Sequence, residues 1–344
     1  MNKKTVRFGI TLLIIVAIFF GFFYSLPYYI SKPGMAKELD TIVDVDGGYE
    51  GDGSFMLTTV RMGKANLVSY IRALFSDYQE IYPLEAIRDE TETDEEYNVR
   101  QMYLMSSSKI TAIEVACKKA GIPVEYKFHG VYVLNVVEDM PADGKLRPGD
   151  RIFEVDGKKI KSSEQFINYI AGKKAGDVVT LTFKREGKVK KESLELRPFP
   201  DEENKVGIGI GLVDDKEAVT VPEIEIRTDN IGGPSAGLMF ALEIYDQLTK
   251  EDLTRGYRIA GTGTLAPDGK VGRIGGIEQK VIAAHKSGAE IFFAPKEDGE
   301  QGIGELNYEA ALRTAKDIGT DMKIVPVASF DEAVRYLEEL PPKK

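Results

Sequence analysis

The chain has 344 residues, 43% of them hydrophobic, with 45 Lys and Arg against 55 Asp and Glu, a net charge of −10. That length allows two or three domains, and the acidic balance repels a phosphate backbone, which sets nucleic acid aside as a partner. One cysteine, Cys117, and two histidines, His129 and His285, exclude a disulfide framework or Cys-rich metal site and leave little for zinc or Ser-His-Asp chemistry.

No charged residue occurs from Phe8 to Ile30. At about 1.5 Å per residue such a run can cross a ~30 Å hydrocarbon layer. Lys3, Lys4 and Arg7 precede it, so the positive-inside rule places the N-terminus in the cytoplasm and residues 31–344 outside. The expectation is a single-pass cell-membrane anchor at 1–30, with Tyr24, Tyr28 and Tyr29 at the outer interface. The rival is a cleaved signal peptide, but the run exceeds the usual ~7–15 residues and no Ala-x-Ala site follows.

Residues 36–125 form an extracytoplasmic N-terminal part. Ser54–Val60 has strand composition, and Asn66–Phe75 repeats apolar residues at helical spacing. Arg88–Glu96 is an acidic run read as a solvated loop, since it lacks the ligand spacing of a calcium site. The spacing predicts a helix from about Asn98 to Ala120, stopped by Gly121 and Pro123, with Cys117 as a small apolar core residue.

Beyond this come a strand at Gly130–Val137, the run Leu146-Arg-Pro-Gly-Asp-Arg-Ile152 followed by Val155-Asp-Gly157, a helix at Ser163–Ala171, and strands at Asp177–Lys184 and Ser193–Arg197. In this order they resemble a PDZ domain over 126–200. The resemblance implies a partner peptide added as a strand, its carboxylate held by a backbone loop at Phe128-His-Gly-Val131. His129 is either a ligand contact there or an ordinary loop histidine. Arg185–Lys191 reads as an exposed hairpin tip.

After Pro200 the pattern is α/β again. Strands are predicted near Val206–Leu212 and Val219–Arg227, then a helix from Pro234 to about Leu248 and a strand-turn region at 257–274. A helix at 276–287, a strand at Ile291–Pro295, a helix near Glu309–Ile318, a strand at Met322–Val327 and a helix at Ser329–Glu339 complete it. The fold class is α+β.

The sharpest local signal is Gly232-Gly-Pro-Ser-Ala-Gly237, directly before the helical face Leu238, Met239 and Leu242. That spacing puts Ser235 in the first turn of a helix, where free N–H groups and the positive dipole end can stabilise an oxyanion. A helix-capping serine is the alternative from this segment alone. In Gly275-Gly-Ile-Glu-Gln-Lys280-Val-Ile-Ala-Ala-His-Lys-Ser-Gly288, Lys280 flanks an apolar stripe of Ile277, Val281 and Ala284. Such a lysine either snorkels outward or is desolvated, and a lowered pKa lets an amine accept a serine proton.

Together Gly233-Pro-Ser-Ala-Gly237, Thr262-Gly-Thr-Leu-Ala-Pro-Asp-Gly-Lys-Val271, Gly275-Gly276 with Lys280, and Ala283-Ala-His-Lys-Ser-Gly288 resemble the proteolytic domain of Lon-type Ser-Lys proteases over 203–340. The resemblance implies Ser235 as nucleophile and Lys280 as base and later acid, with Thr262 holding Lys280. It needs no cofactor and no metal. Anchor, PDZ domain and Lon-like domain together resemble the membrane proteases of Gram-positive bacteria that carry a PDZ domain. There, 36–125 and 203–340 form one peptidase domain with the PDZ domain inserted, because Met105-Ser-Ser-Ser-Lys-Ile-Thr-Ala112 resembles a helix of Lon. The resemblance also implies a peptide or unfolded-protein substrate and a homo-oligomer such as a hexameric ring.

Two departures stand out. The acidic residue many Lon proteases carry three positions before the serine is Gly232 here, and no Gly-x4-Gly-Lys-Ser/Thr occurs, which leaves out an ATPase motor. Three rivals fit the residues less well. Gly233-Pro-Ser-Ala-Gly237 with His285 fits an α/β-hydrolase esterase poorly, since His285 lies in a helical pattern. Ser106-Ser-Ser-Lys109, Thr228-Asp-Asn230 and Lys286-Ser-Gly288 follow the penicillin-binding order, but on the wrong elements. The non-enzymatic rival is a PDZ scaffold with an inactive peptidase domain.

Overall fold

The computed structural model describes residues 3–88, 91–200, 202–228, 231–297 and 306–343. Asp89 and Glu90 of the acidic run, and Asp229 and Asn230 of the penicillin-binding pattern, lie outside them. The helices are α1 Lys3–Phe23, α2 Leu67–Leu74, α3 Asp94–Ala120, α4 Ser163–Ala171, α5 Gly237–Leu248, α6 Ile277–Lys286, α7 Asn307–Asp317 and α8 Phe330–Glu338. The chain divides into two compact units, one of 1–41, 50–91 and 250–344, the other of 42–49 and 92–249.

The first unit is built on a six-stranded sheet in the order Lys323–Val327, Ile291–Pro295, Arg258–Gly261, Ser54–Asn66, Ser25–Glu38, Glu80–Pro83. The first four strands run parallel and the last two pairings are antiparallel. Ile291–Pro295 is buried throughout, which is why it reads as an unbroken apolar run. The stripe Ile277, Val281 and Ala284 of α6 packs with Met56, Phe292 and Ala311 in one core. Each large apolar side chain buried there contributes about 1.5–3 kcal/mol.

The apolar N-terminal run is helix over a shorter stretch than 8–30. It ends at Phe23, and from Ser25 the chain is strand, with Tyr29 and Ile30 buried. Tyr29 pairs with Lys64 and Tyr82 across the two neighbouring strands, so it stands in the sheet and not at a membrane interface. Among the described residues no helix is long and apolar enough to cross a membrane. Several side chains of α1 fall outside those residues.

The second unit contains a sheet in the order Ile210–Val219, Glu125–Val136, Arg151–Val155, Val178–Arg185, Lys188–Glu195, all antiparallel. Its core of Val131, Ile152, Phe166, Leu181, Phe183 and Leu194 extends past residue 200, taking in Ile208. Strand Ile210–Val219 pairs with Glu125–Val136 along its whole length, so this sheet continues beyond the expected boundary at 200. Phe128–Val131 is correspondingly not a loop: Phe128 pairs with Lys216, and Val131 with Asp214 on one side and Ile152 on the other. His129 is exposed, its Nε2 3.0 Å from Oε2 of Glu217.

Helix α3 starts four residues before the expected Asn98. Thr93 caps it, accepting from the N–H of Glu96 at 3.2 Å while the Glu96 carboxylate accepts from the N–H of Thr93 at 2.8 Å. The end of the acidic run is therefore a helix N-terminus, where carboxylates complement the dipole. Gly121 ends the helix in the left-handed region, φ 73°. Cys117 is fully buried in α3, and burial pushes its thiol up to about 11, which leaves it an inert core residue.

Candidate active site

Ser235 lies in the second unit and Lys280 in the first. The half-buried Ser235 precedes the first residue of α5, Gly237, by two positions, so it stands just ahead of the helix and not in its first turn. Helix α5 is apolar and buried on most sides, with Leu238, Met239, Phe240, Ala241 and Leu242 all fully covered. Its N-terminal amides, which the i→i−4 ladder leaves unused, open toward the serine loop.

The loop is shaped by α3. The N–H of Gly233 donates to the carbonyl of Gln101 at 2.8 Å, and the Ser108 hydroxyl donates to the carbonyl of Pro234 at 3.1 Å. Gly233 has φ +89°, a conformation that L side chains rarely adopt, and a Cβ there would stand 3.2 Å from Oε1 of Gln101. A Cβ on Gly232 would meet Cβ of Gln101 at 3.0 Å. The Gly233 amide is engaged by Gln101, so any amides that hold an oxyanion lie nearer Ser235 and the helix start.

Lys280 is 2% exposed on α6. Its Nζ donates to Oγ1 of Thr262 at 3.0 Å, and Thr262 follows strand Arg258–Gly261, its own N–H donating to the carbonyl of Phe293 at 3.2 Å. Desolvation pulls the amine down from 10.5 to about 7. The lysine is thus buried and not snorkelled, because its side of α6 faces the sheet. Helix α6 begins at Gly276, φ 68°, where a Cβ would sit 2.7 Å from Cγ1 of Val60, so the chain can enter the helix there only without a side chain. Gln279, next to Lys280, is fully buried and its amide finds no hydrogen-bond partner among the described residues. Sequence reasoning missed it, since a glutamine in that pattern reads as a surface residue.

His285 is exposed on α6 and its Nδ1 lies 2.9 Å from Oγ1 of Thr320, which gives no support to an esterase reading. In the penicillin-binding pattern, Nζ of Lys109 donates to the carbonyl of Ile226 at 2.9 Å. A groove of about 780 Å³ runs between α4 and the strands Glu202–Gly207 and Ile210–Val219, lined by Ile167, Ile170, Phe199, Ile210 and the stems of Lys173 and Lys174. Strand Ile210–Val219 is the end strand of its sheet.

Comparison with known proteins finds two families in the chain. The family described as Lon protease (S16) C-terminal proteolytic domain matches residues 186–337, and the PDZ domain family matches residues 109–196. The Lon protease of Metamycoplasma arthritidis is 35% identical over 121 residues, covering 35% of this chain and 13% of that protein. That of Chloroflexus aggregans is 32% identical over 117 residues, covering 34% and 12%. Among solved structures, the PDZ domain of the SdrC-like protein of Listeria monocytogenes is 41% identical, covering 25% of this chain and 90% of that one, with a TM-score of 0.24. The chain spans only a small part of the length of the curated Lon proteases it matches. What it shares with them is the proteolytic portion: this chain carries a Lon-type (S16) serine-peptidase domain together with a PDZ domain.

Proposed function

We propose that the chain is an ATP-independent serine endopeptidase, held in the cytoplasmic membrane by α1 with its folded part outside, acting on peptides or flexible segments of secreted or membrane proteins. Ser235 Oγ attacks the peptide carbonyl while neutral Lys280 takes its proton. The amides near Ser235 and the start of α5 hold the oxyanion, Lys280 returns the proton to the leaving amine, and water releases the acyl-enzyme. The carrying observation is the state of Lys280, a buried amine brought down to about 7 beside the Thr262 hydroxyl, which can be deprotonated at neutral pH. The PDZ domain delivers substrate: an extended peptide adds to the open edge of Ile210–Val219 and lies against α4. ATP-independence rests on the sequence, whose 344 residues contain no phosphate-binding loop motif. Assembly of several copies into a ring belongs to the same reading.

The test is cleavage of an unfolded protein by the full chain in lipid nanodiscs without ATP, comparing wild type with Ser235→Ala. A fragment starting at residue 36 is unsuitable, because it removes most of strand Ser25–Glu38. Cleavage by wild type and none by the variant supports the proposal; equal cleavage by both sinks it.

A further inference from the structure

Helix α2 carries Leu67, Val68, Ile71, Leu74 and, just past its end, Phe75. At about 100° per residue these positions form one stripe, the i, i+4, i+7, i+8 pattern by which a helix of a soluble domain faces its core. Here the stripe faces away from the core. Phe75 is 86% exposed and Leu74 60%, with the other three between 40% and 47%. The helix packs through its opposite side, with Ala73 beside Ile30 and Ala65 and the Tyr70 ring 5.1 Å from that of Tyr28.

One residue fixes this helix at the end of α1. Asn66 Oδ1 accepts from the N–H of Ser69 at 2.8 Å, capping α2, while its Nδ2 donates to the carbonyl of Phe22 at 2.9 Å, in the last turn of α1. Gly21 of α1 lies against Val68, where a Cβ would stand 3.7 Å from Cγ2. The stripe therefore continues the exposed apolar surface of Phe19, Phe20, Phe22 and Phe23. Charge points the same way: Lys32, Arg61, Lys64 and Arg72 are exposed around this end of the unit. No Asp or Glu occurs in 24–37 or 60–76.

We propose that α2 is a membrane-surface helix, lying in the outer interface of the bilayer that α1 spans, its apolar stripe among the acyl chains and the surrounding Lys and Arg on anionic headgroups. This rests on the reading of α1 as the anchor. An unpartnered stripe of five large apolar residues at the outer end of such a helix meets lipid before it meets any other surface, and four exposed basic residues around it, against the acids Asp77 and Glu80, match an anionic leaflet. The interface helix also sets the height of the sheet: strands Ser25–Glu38 and Ser54–Asn66 rise from the membrane as one ribbon paired from Ser25 and Asn66 onward.

The test uses the full chain reconstituted in vesicles of phosphatidylcholine with phosphatidylglycerol. The chain has no tryptophan, so Phe75→Trp introduces a single indole. Leu74→Trp is a second reporter should the first disturb folding, and Leu312→Trp, on α7, is the reference. Lipids brominated near the headgroup end of the acyl chain are expected to quench the indole at 75 or 74 and to leave that at 312 unquenched. An indole at 74 and 75 that stays unquenched while the protein floats with the vesicles overturns the proposal and leaves the anchor reading standing. Shielding from acrylamide without quenching by brominated lipid also overturns it and assigns the stripe to a second copy or another protein. Quenching of a chain that carbonate strips from the vesicles supports the surface helix and removes the anchor.

Discussion

The loop that carries Ser235 and the helix that carries Lys280 meet different physical requirements. Ser235 is half-buried in a segment shaped by backbone conformation, through a left-handed Gly233, its hydrogen bond to Gln101 and the clamp from Ser108. Lys280 sits in a closed core on the sheet side of α6, where desolvation lowers its pKa and the Thr262 hydroxyl accepts from its Nζ. In the proposed reaction a nucleophile needs placement, which glycines and main-chain bonds can supply, and a lysine base needs to lose its proton, which burial favours. The two should respond differently to mutation and to pH.

The largest effect is expected at Lys280. Lys280→Met should lower kcat by about a thousandfold or more, yet stabilise the fold by about 1–4 kcal/mol at pH 7, because it removes a desolvated amine. The folded-state pKa lies below the unfolded one, so between about 7 and 10.5 the unfolded chain holds the extra proton and stability rises with pH. Urea midpoints measured across that range should show a slope in wild type that Lys280→Met lacks. A variant no more stable than wild type would break the contrast.

Wild-type kcat should rise with pH through about 7, as the neutral amine forms. Gly233→Ala should leave that midpoint in place while lowering kcat by about 10- to 100-fold, since a left-handed alanine costs about 1–2 kcal/mol and shifts the serine loop. If the midpoint moves with Gly233→Ala, the serine loop and the lysine are not separable. Thr262→Val should cost about tenfold, the loss of a buried hydrogen bond, and shift the midpoint downward because the ammonium loses an acceptor; Thr262→Ser should restore both. The smallest effect is expected at Ile167→Asp in the groove beside α4. It should raise KM for a protein substrate by less than about tenfold and leave cleavage of short peptides unchanged.

Much of this was legible in the sequence because it is local. Gly-Gly-Pro before an apolar helix, Lys280 beside its stripe, and Gly121 closing α3 all announce themselves within a few residues. What escaped is non-local. Ser25–Ile30 reads as the end of the apolar anchor, and Lys32-Pro33-Gly34 gives no strand signal, until the pairing with 54–66 is known. Phe128–Val131 looks like a loop until Asp214–Lys216 pairs with it. The burial of Lys280 was open between two outcomes, and the sheet behind α6 decided it. Thr93-x-x-Glu96 was a local signal, overlooked because an acidic run suggests solvent before it suggests a cap.

The parallel pairing of Ser54–Leu57 with Arg258–Gly261 joins segments about two hundred residues apart in sequence. Closing a loop that long is slow, and the gain arrives only once both strands exist. A ribosome that has made the first two hundred residues has made the PDZ sheet only up to Glu195, with its end strand Ile210–Val219 still to come, and holds Ser54–Asn66 without its parallel neighbour, an open strand edge inviting aggregation. The parallel part of this sheet therefore cannot begin to form before synthesis passes residue 261.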